Sequence, residues 1–237
     1  MTGSRSASQV SLRDVSAGYA RTGVLFRLDL EIPSLAVTAV MGPNGSGKST
    51  LLGLLAGVIP VASGTVVHRT AVRPAFVMQR SAVADALPLT AREAVAMGRW
   101  GRLGPFRRPS AKDREAVETS MERLDVADLA ERQLGELSGG QRQRVLVAQG
   151  LAQGADLLLL DEPAGALDGS ARETIARVLD EVTGEGVTVV QATHDITAAR
   201  GAEHCVLLDA GRIAAAGPPS EVLGGVEPER VTRPFGE

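Results

Sequence analysis

Cys205 is the single cysteine among 237 residues, so no disulfide can form within the chain and nothing asks for an oxidising compartment. Lysine is almost as scarce: of 25 basic residues only Lys48 and Lys112 are lysines. A site that needs a compact ammonium rather than a planar guanidinium would resist that bias, which makes each lysine informative. No apolar run approaches the ~18 residues a membrane helix needs. The start, MTGSRSASQVSLRDV, also has no apolar stretch behind its positive charge, so neither a span nor a secretory leader is expected. A net charge of −3 gives no general pull toward nucleic acid or anionic lipid, so no nucleic-acid partner is expected. A cytoplasmic address follows, with any membrane association made through a partner.

What remains is ordinary globular composition, 44% hydrophobic and 22% charged, enough to bury one sizeable core. Residues 1–9 are Ser-rich and polar. Val10–Val15 and the run through Leu28–Ile32 suit two antiparallel strands. Val37–Met41 is a short β-branched run followed at once by GPNGSGKST and LLGLLAGV, which reads as strand, loop, helix. From Thr90 the pattern turns helical, with Thr90 and Glu93 as a capping box, Ser110 opening a second amphipathic run to Leu124, and Ser138 a third. Residues 101–109, GRLGPFRRP, are expected to be loop. Strand-like runs return at Leu157–Leu160 and Val187–Gln191, and Ser170 with Glu173 is expected to cap the helix between them. These runs are continuous rather than alternating, the pattern of parallel strands covered on both faces by helices. The expectation is one α/β domain over residues 10–225, split by a helical insert at about residues 86–155, with a short tail at 226–237.

Gly42, Pro43, Asn44, Gly45, Ser46, Gly47, Lys48 and Ser49 satisfy G-x-x-x-x-G-K-[ST] between a strand and a helix, the setting of a phosphate-binding P-loop. Glycines let the backbone curl so that successive N–H groups face phosphate oxygens, and the helix N-terminus adds its positive dipole end. Lys48 then supplies a point charge for the β- and γ-phosphates of ATP, and Ser49 a hydroxyl for Mg²⁺.

Leu157–Leu160 lead into Asp161, Glu162 and Pro163, so both carboxylates stand at the carboxyl end of a strand, where open α/β sheets bind ligands. Asp161 suits Mg²⁺, through water or directly. Successive residues diverge at a strand end, which leaves Glu162 to act as general base on the water attacking the γ-phosphate. By itself the pair could equally be a solvated strand-to-loop corner. Leu137, Ser138, Gly139, Gly140 and Gln141 form a second glycine-opened helix start, which alone would read as a plain helix cap and, in order with the loop and LLLLDEP, as a second anion-binding terminus in one chain.

Taken in this order, the loop, LSGGQ and LLLLDEP resemble an ABC transporter nucleotide-binding domain across about residues 10–225. That resemblance implies a P-loop NTPase (RecA-like) core with an antiparallel β subdomain and an inserted α-helical subdomain. It implies ATP hydrolysis with ATP and Mg²⁺ bound, Thr50 and Gln141 being carried over with their motifs. It also implies that Ser138, Gly139 and Gly140 serve ATP held by a second subunit, so the working unit is a homodimer. Tyr19 would stack on adenine, Gln79 sense Mg²⁺ and the lytic water, Asp168 act in the loop after the acidic pair, and His194 contact the γ-phosphate. His204, beside Cys205, is read as structural. Ser34-Leu35, Gln149 and Gly165 depart from the family's usual residues.

Non-transport ABC ATPases carry a long coiled-coil insert or two cassettes, and the short span from Gln79 to Leu137 with a single phosphate loop counts against them. A binding module without hydrolysis would lack the base that Glu162 supplies. The stretches Gln79–Val83, Leu87–Thr90 and Met97–Gly104 are similar to ATPases of zinc and manganese importers. VAQGLAQGADLLLLDEP is similar to the Azt-type zinc importer ATPases. The resemblance thus implies import of a transition metal, zinc first, with manganese, iron or a metal chelate as the alternative. An integral-membrane permease and an extracytoplasmic solute-binding protein complete such a system, with this chain at the cytoplasmic face of the membrane. The stretch containing Trp100 would then dock the permease, or be ordinary subdomain surface.

Overall fold

The computed structural model describes residues 7–19, 22–78, 88–103, 108–163 and 169–224. Strands β1 (Ser8–Tyr19) and β2 (Thr22–Pro33) pair antiparallel, as the sequence predicts. After β3 (Val37–Met41) and helix α1 (Lys48–Leu55), β4 (Val61–His68) adds to the other side of β1 and completes a three-stranded sheet. β4 escaped the sequence reading because its residues are mostly exposed and so lack an apolar pattern.

The second sheet is built from β5 (Ala75–Val77), β6 (Leu157–Asp161), β7 (Thr188–Ala192), β3, β8 (His204–Asp209) and β9 (Arg212–Gly217), in that spatial order. Neighbours are parallel except β8 and β9, which form an antiparallel hairpin. In β6, Leu157 and Leu159 enter one apolar cluster, with α1 and residues of β1 and β2, while Leu158 and Leu160 enter another. This explains the unbroken leucine run: the strand is buried on both faces. It also corrects the expectation of helices on both faces, since the face toward α1 is shared with the antiparallel sheet. Cys205 lies in β8, fully buried, and burial pushes its thiol up to about 11.

Between β5 and β6 run α2 (Ala91–Ala96), α3 (Trp100–Leu103), α4 (Ala111–Arg123) and α5 (Gly139–Ala152). Capping boxes form at Thr90 with Glu93, Ser110 with Asp113, and Ser138 with Gln141, each satisfying orphan amides of a first turn. The expected loop at 101–109 is in part a helix. Arg99 donates to Ala152 O (2.7 Å) and Arg102 to Gly154 O (2.6 Å), so carbonyls at the end of α5 hold α3 in a turn. The chain continues through α6 (Gly169–Gly184), α7 (Ile196–Gly201) and α8 (Pro219–Gly224). Because α6 starts at Gly169, Ser170 lies in its first turn and is not the expected cap. The tail at 226–237 lies outside the described residues. Among the described residues no helix is long and apolar enough to cross a membrane.

Candidate nucleotide site

The phosphate loop is fixed from below by backbone. Gly42 leaves β3 at φ 147°, and a Cβ there would stand 2.0 Å from Leu208 O of β8. Gly47 forms the N-cap of α1 at φ 104°, a left-handed conformation that a side chain would strain. Between them, Ser46 N–H donates to Pro43 O (3.2 Å) and Gly211 N–H donates to Ser46 O (3.0 Å). The β8–β9 turn thus braces the loop, a contact foreshadowed in the sequence only by the turn-forming Ala210-Gly211.

Lys48 is the first residue of α1 and is 7% exposed. Its ammonium donates to Gly42 O (2.8 Å) and Pro43 O (3.0 Å), two of its three donors, which leaves one for a phosphate oxygen. Burial lowers its pKa, and the charges of Glu162 and Asp161 oppose that shift. Ser49 and the buried Thr50 follow in the same turn.

Asp161 ends β6 with 6% exposure. Burial raises its pKa, countered by a hydrogen bond with the Ser49 side chain and by Lys48, with Glu162 adding to the rise. Glu162 follows at φ 51°, in the left-handed region, while its N–H still donates to Ala192 O of β7 (3.1 Å). A non-glycine residue in that region costs about 1 kcal/mol or more, and here the twist separates two adjacent carboxylates. Asp161 faces the loop, and Glu162 faces His194, whose Nδ1 stands 3.9 Å from Glu162 Oε1. His194 is positioned by the end of β7: Thr193 N–H donates to Val40 O (3.0 Å), and Asp195 caps α7 through Thr197 N (2.7 Å).

The structure therefore brings Gly42, Pro43, Asn44, Gly45, Ser46, Gly47, Lys48, Ser49 and Thr50 together with Asp161, Glu162 and His194. Tyr19 ends β1 with 55% of its surface exposed. Gln79 and Asp168, like Gly165, lie outside the described residues. Ser138 is exposed at the head of α5, with Gly139 and Gly140 half-buried beside it and Gln141 closing the cap at 2.9 Å. That helix packs chiefly on α2 and α4, with lesser contacts to β5, β6 and α6, whereas α1 packs on β6, β7 and the antiparallel sheet. Two glycine-opened helix starts are thus lodged in different parts of one chain.

The sequence profile of the ABC transporter family matches residues 25–165. The zinc transport system ATP-binding protein TroB of Treponema pallidum is 36% identical over 98% of this chain and 89% of its own length. The manganese transport system ATP-binding protein MntB of Bacillus subtilis is 35% identical over 90% of this chain and 88% of its own. The hemin import ATP-binding protein HmuV of Streptomyces coelicolor reaches 44% identity over 84% and 74%. Among solved structures, a metal-chelate type ABC transporter in an inward-facing conformation superposes with a TM-score of 0.82 at 28% identity, covering 92% of this chain and 86% of that one.

Proposed function

The chain belongs to the ABC transporter family as an ATP-binding, ATP-hydrolysing subunit, and we propose that it energises import of a transition-metal ion, zinc first, through a separate integral-membrane permease. The observation that carries the chemistry is the gathering of Lys48, Ser49, Asp161, Glu162 and His194 at the carboxyl ends of β3, β6 and β7. The loop amides and Lys48 bind and orient the triphosphate of ATP, and Tyr19 offers a face for adenine. The Ser49 hydroxyl and Asp161 carboxylate, already partnered, are the hard oxygen donors that Mg²⁺ prefers, and they would hold it. When bound, that ion neutralises charge on the phosphates. Glu162 accepts the proton of the attacking water, and His194 orients that water and the γ-phosphate from the neighbouring strand end. Gln79 and Asp168 join the site by family resemblance.

Ser138, Gly139, Gly140 and Gln141 sit apart from this loop and at the surface, which supports a role at the ATP of a second copy. The working unit is then a homodimer with two shared sites. The permease docks on the insert around Trp100, which is 60% exposed, and an extracytoplasmic solute-binding protein delivers the ion on the far side. The chain itself lies peripherally at the cytoplasmic face.

Zinc is favoured by the full-length similarity to a zinc transport ATPase and by the Met97–Gly104 stretch. The hemin relative and the metal-chelate structure favour a second reading, import of a metal chelate. Growth of a deletion strain under zinc chelation separates the two. Rescue by added zinc, better than by manganese, iron or hemin, is expected; unchanged zinc uptake in a strain with no second importer would remove zinc and leave the ATPase assignment standing.

A further inference from the structure

Helix α4 ends in a left-handed residue, Asp125 (φ 50°), with Val126 N–H bonded back to Met121 O (3.0 Å). Its last carbonyls point out of the helix carrying the negative end of the dipole, and they need donors. Two arginines from two different helices supply them. Arg144, on α5 six positions after Ser138, donates one nitrogen to both Leu124 O (2.9 Å) and Asp125 O (2.8 Å). Arg177, on α6, donates to Arg123 O (3.2 Å), approaches Asp125 Oδ2 (3.9 Å), and also holds Glu181 (2.7 Å). Arg123 itself forms a two-pronged bridge to Glu185, just beyond α6, at 2.7 and 2.9 Å.

One face of α4 enters the core through Val117 and Met121, and its N-terminal end is held where Arg99 pairs with Asp113 (2.8 Å). Along its other face a cleft of about 470 Å³, reaching the Arg123–Glu185 bridge, separates Ala116 and Ser120 of α4 from Leu158, Val182 and Val187. The C-terminal end of α4 is therefore where one helix end is fastened by side chains to both the LSGGQ helix and the nucleotide core.

We propose that Arg144 is a positioning residue for hydrolysis: with Arg177 it makes the α4 terminus a pivot that sets the angle at which Ser138–Gln141 meet the second subunit. The pivot rests on the shared-site reading above. It touches neither the phosphate loop nor the acidic pair, so ATP binding by one subunit is independent of it.

The test uses purified full-length chain with Arg144→Ala, Arg144→Lys and the surface variant Arg177→Ala, each alone and with Glu162→Gln. ATP affinity of the single subunit is expected to stay within about twofold of the parent. Loss of charge-assisted capping bonds is expected to weaken ATP-dependent dimerisation and lower kcat by about tenfold in Arg144→Ala, and less in Arg177→Ala. Arg144→Lys, which keeps a cation at the carbonyls, is expected to recover part of both. Should Arg144→Ala fail to fold, Arg177→Ala carries the test by itself. Equal losses of ATP affinity and kcat, or native dimerisation and kcat in folded variants, would overturn the pivot while the Glu162→Gln parent still dimerises. A parent that stays monomeric with ATP would sink the shared-site reading, and the pivot with it.

Discussion

His194 Nδ1 and Glu162 Oε1 stand 3.9 Å apart although their residues belong to different strand ends, because β6 and β7 are adjacent and in parallel register. The pairing of Asp161 with Ala192 sets that register, and the left-handed turn at Glu162 then aims its carboxylate sideways rather than onward. His194 is the more exposed partner, 55% against 21%, and so is free to meet a phosphate without leaving Glu162.

Glu162→Gln keeps the volume and removes the base. Steady-state ATP hydrolysis is expected to fall by about 10²- to 10⁴-fold with ATP affinity retained, read by phosphate release alongside nucleotide binding. Wild-type turnover in this variant would remove Glu162 from the mechanism.

Lys48→Ala should act on binding first. Losing a charge-assisted contact to phosphate is expected to weaken ATP affinity by about 10- to 100-fold, measured by titration calorimetry. The empty ammonium position also frees Gly42 O and Pro43 O, so loosened protease protection around the loop is expected without nucleotide.

Leu35 has φ 56° and 56% exposure, so it carries left-handed strain with little burial in return. Its N–H donates to Thr188 Oγ1 (3.0 Å), a bond that glycine keeps. Leu35→Gly is expected to stabilise the fold by up to about 1 kcal/mol, the relieved strain exceeding the added freedom of the unfolded chain. A lowered melting temperature in scanning calorimetry would contradict this.

Much of the site was legible because its signals are local. Gly42–Thr50, the Leu157–Glu162 corner and Ser138–Gln141 each combine a strand or helix boundary with polar atoms at fixed offsets. What was not legible depends on contacts far along the chain. The brace from Gly211 to Ser46, the helical turn at Trp100–Leu103 held by carbonyls of residues 152 and 154, and the two-face burial of β6 against different layers are set by packing partners. The Ser170 cap was misplaced by a smaller margin, since α6 already begins at Gly169, one residue before that serine.

Asp113 couples the insert to pH. Hydrogen bonds from the Ser110 side chain and backbone, then from Arg99, hold its carboxyl at about 2, below the ordinary value near 3.9. A depressed folded-state pKa contributes stability that is present above the unfolded value and lost as pH falls through the folded one. Asp113→Asn is therefore expected to lower the melting temperature at pH 7, and the gap from wild type should narrow between pH 4 and about 2. A gap constant across that range would mean that Asp113 contributes only through shape.

Cys205 offers a practical opening. With burial pushing its thiol up to about 11 and leaving it no exposed surface, Cys205 is shielded from maleimides and thiophilic metal ions in the folded chain. The protein is a natural blank for single-site labelling. A cysteine introduced at an exposed position such as Trp100 or Lys112 would be the only reactive thiol, and a spin label or fluorophore there would report the movement of the insert against the sheet in the otherwise unaltered molecule.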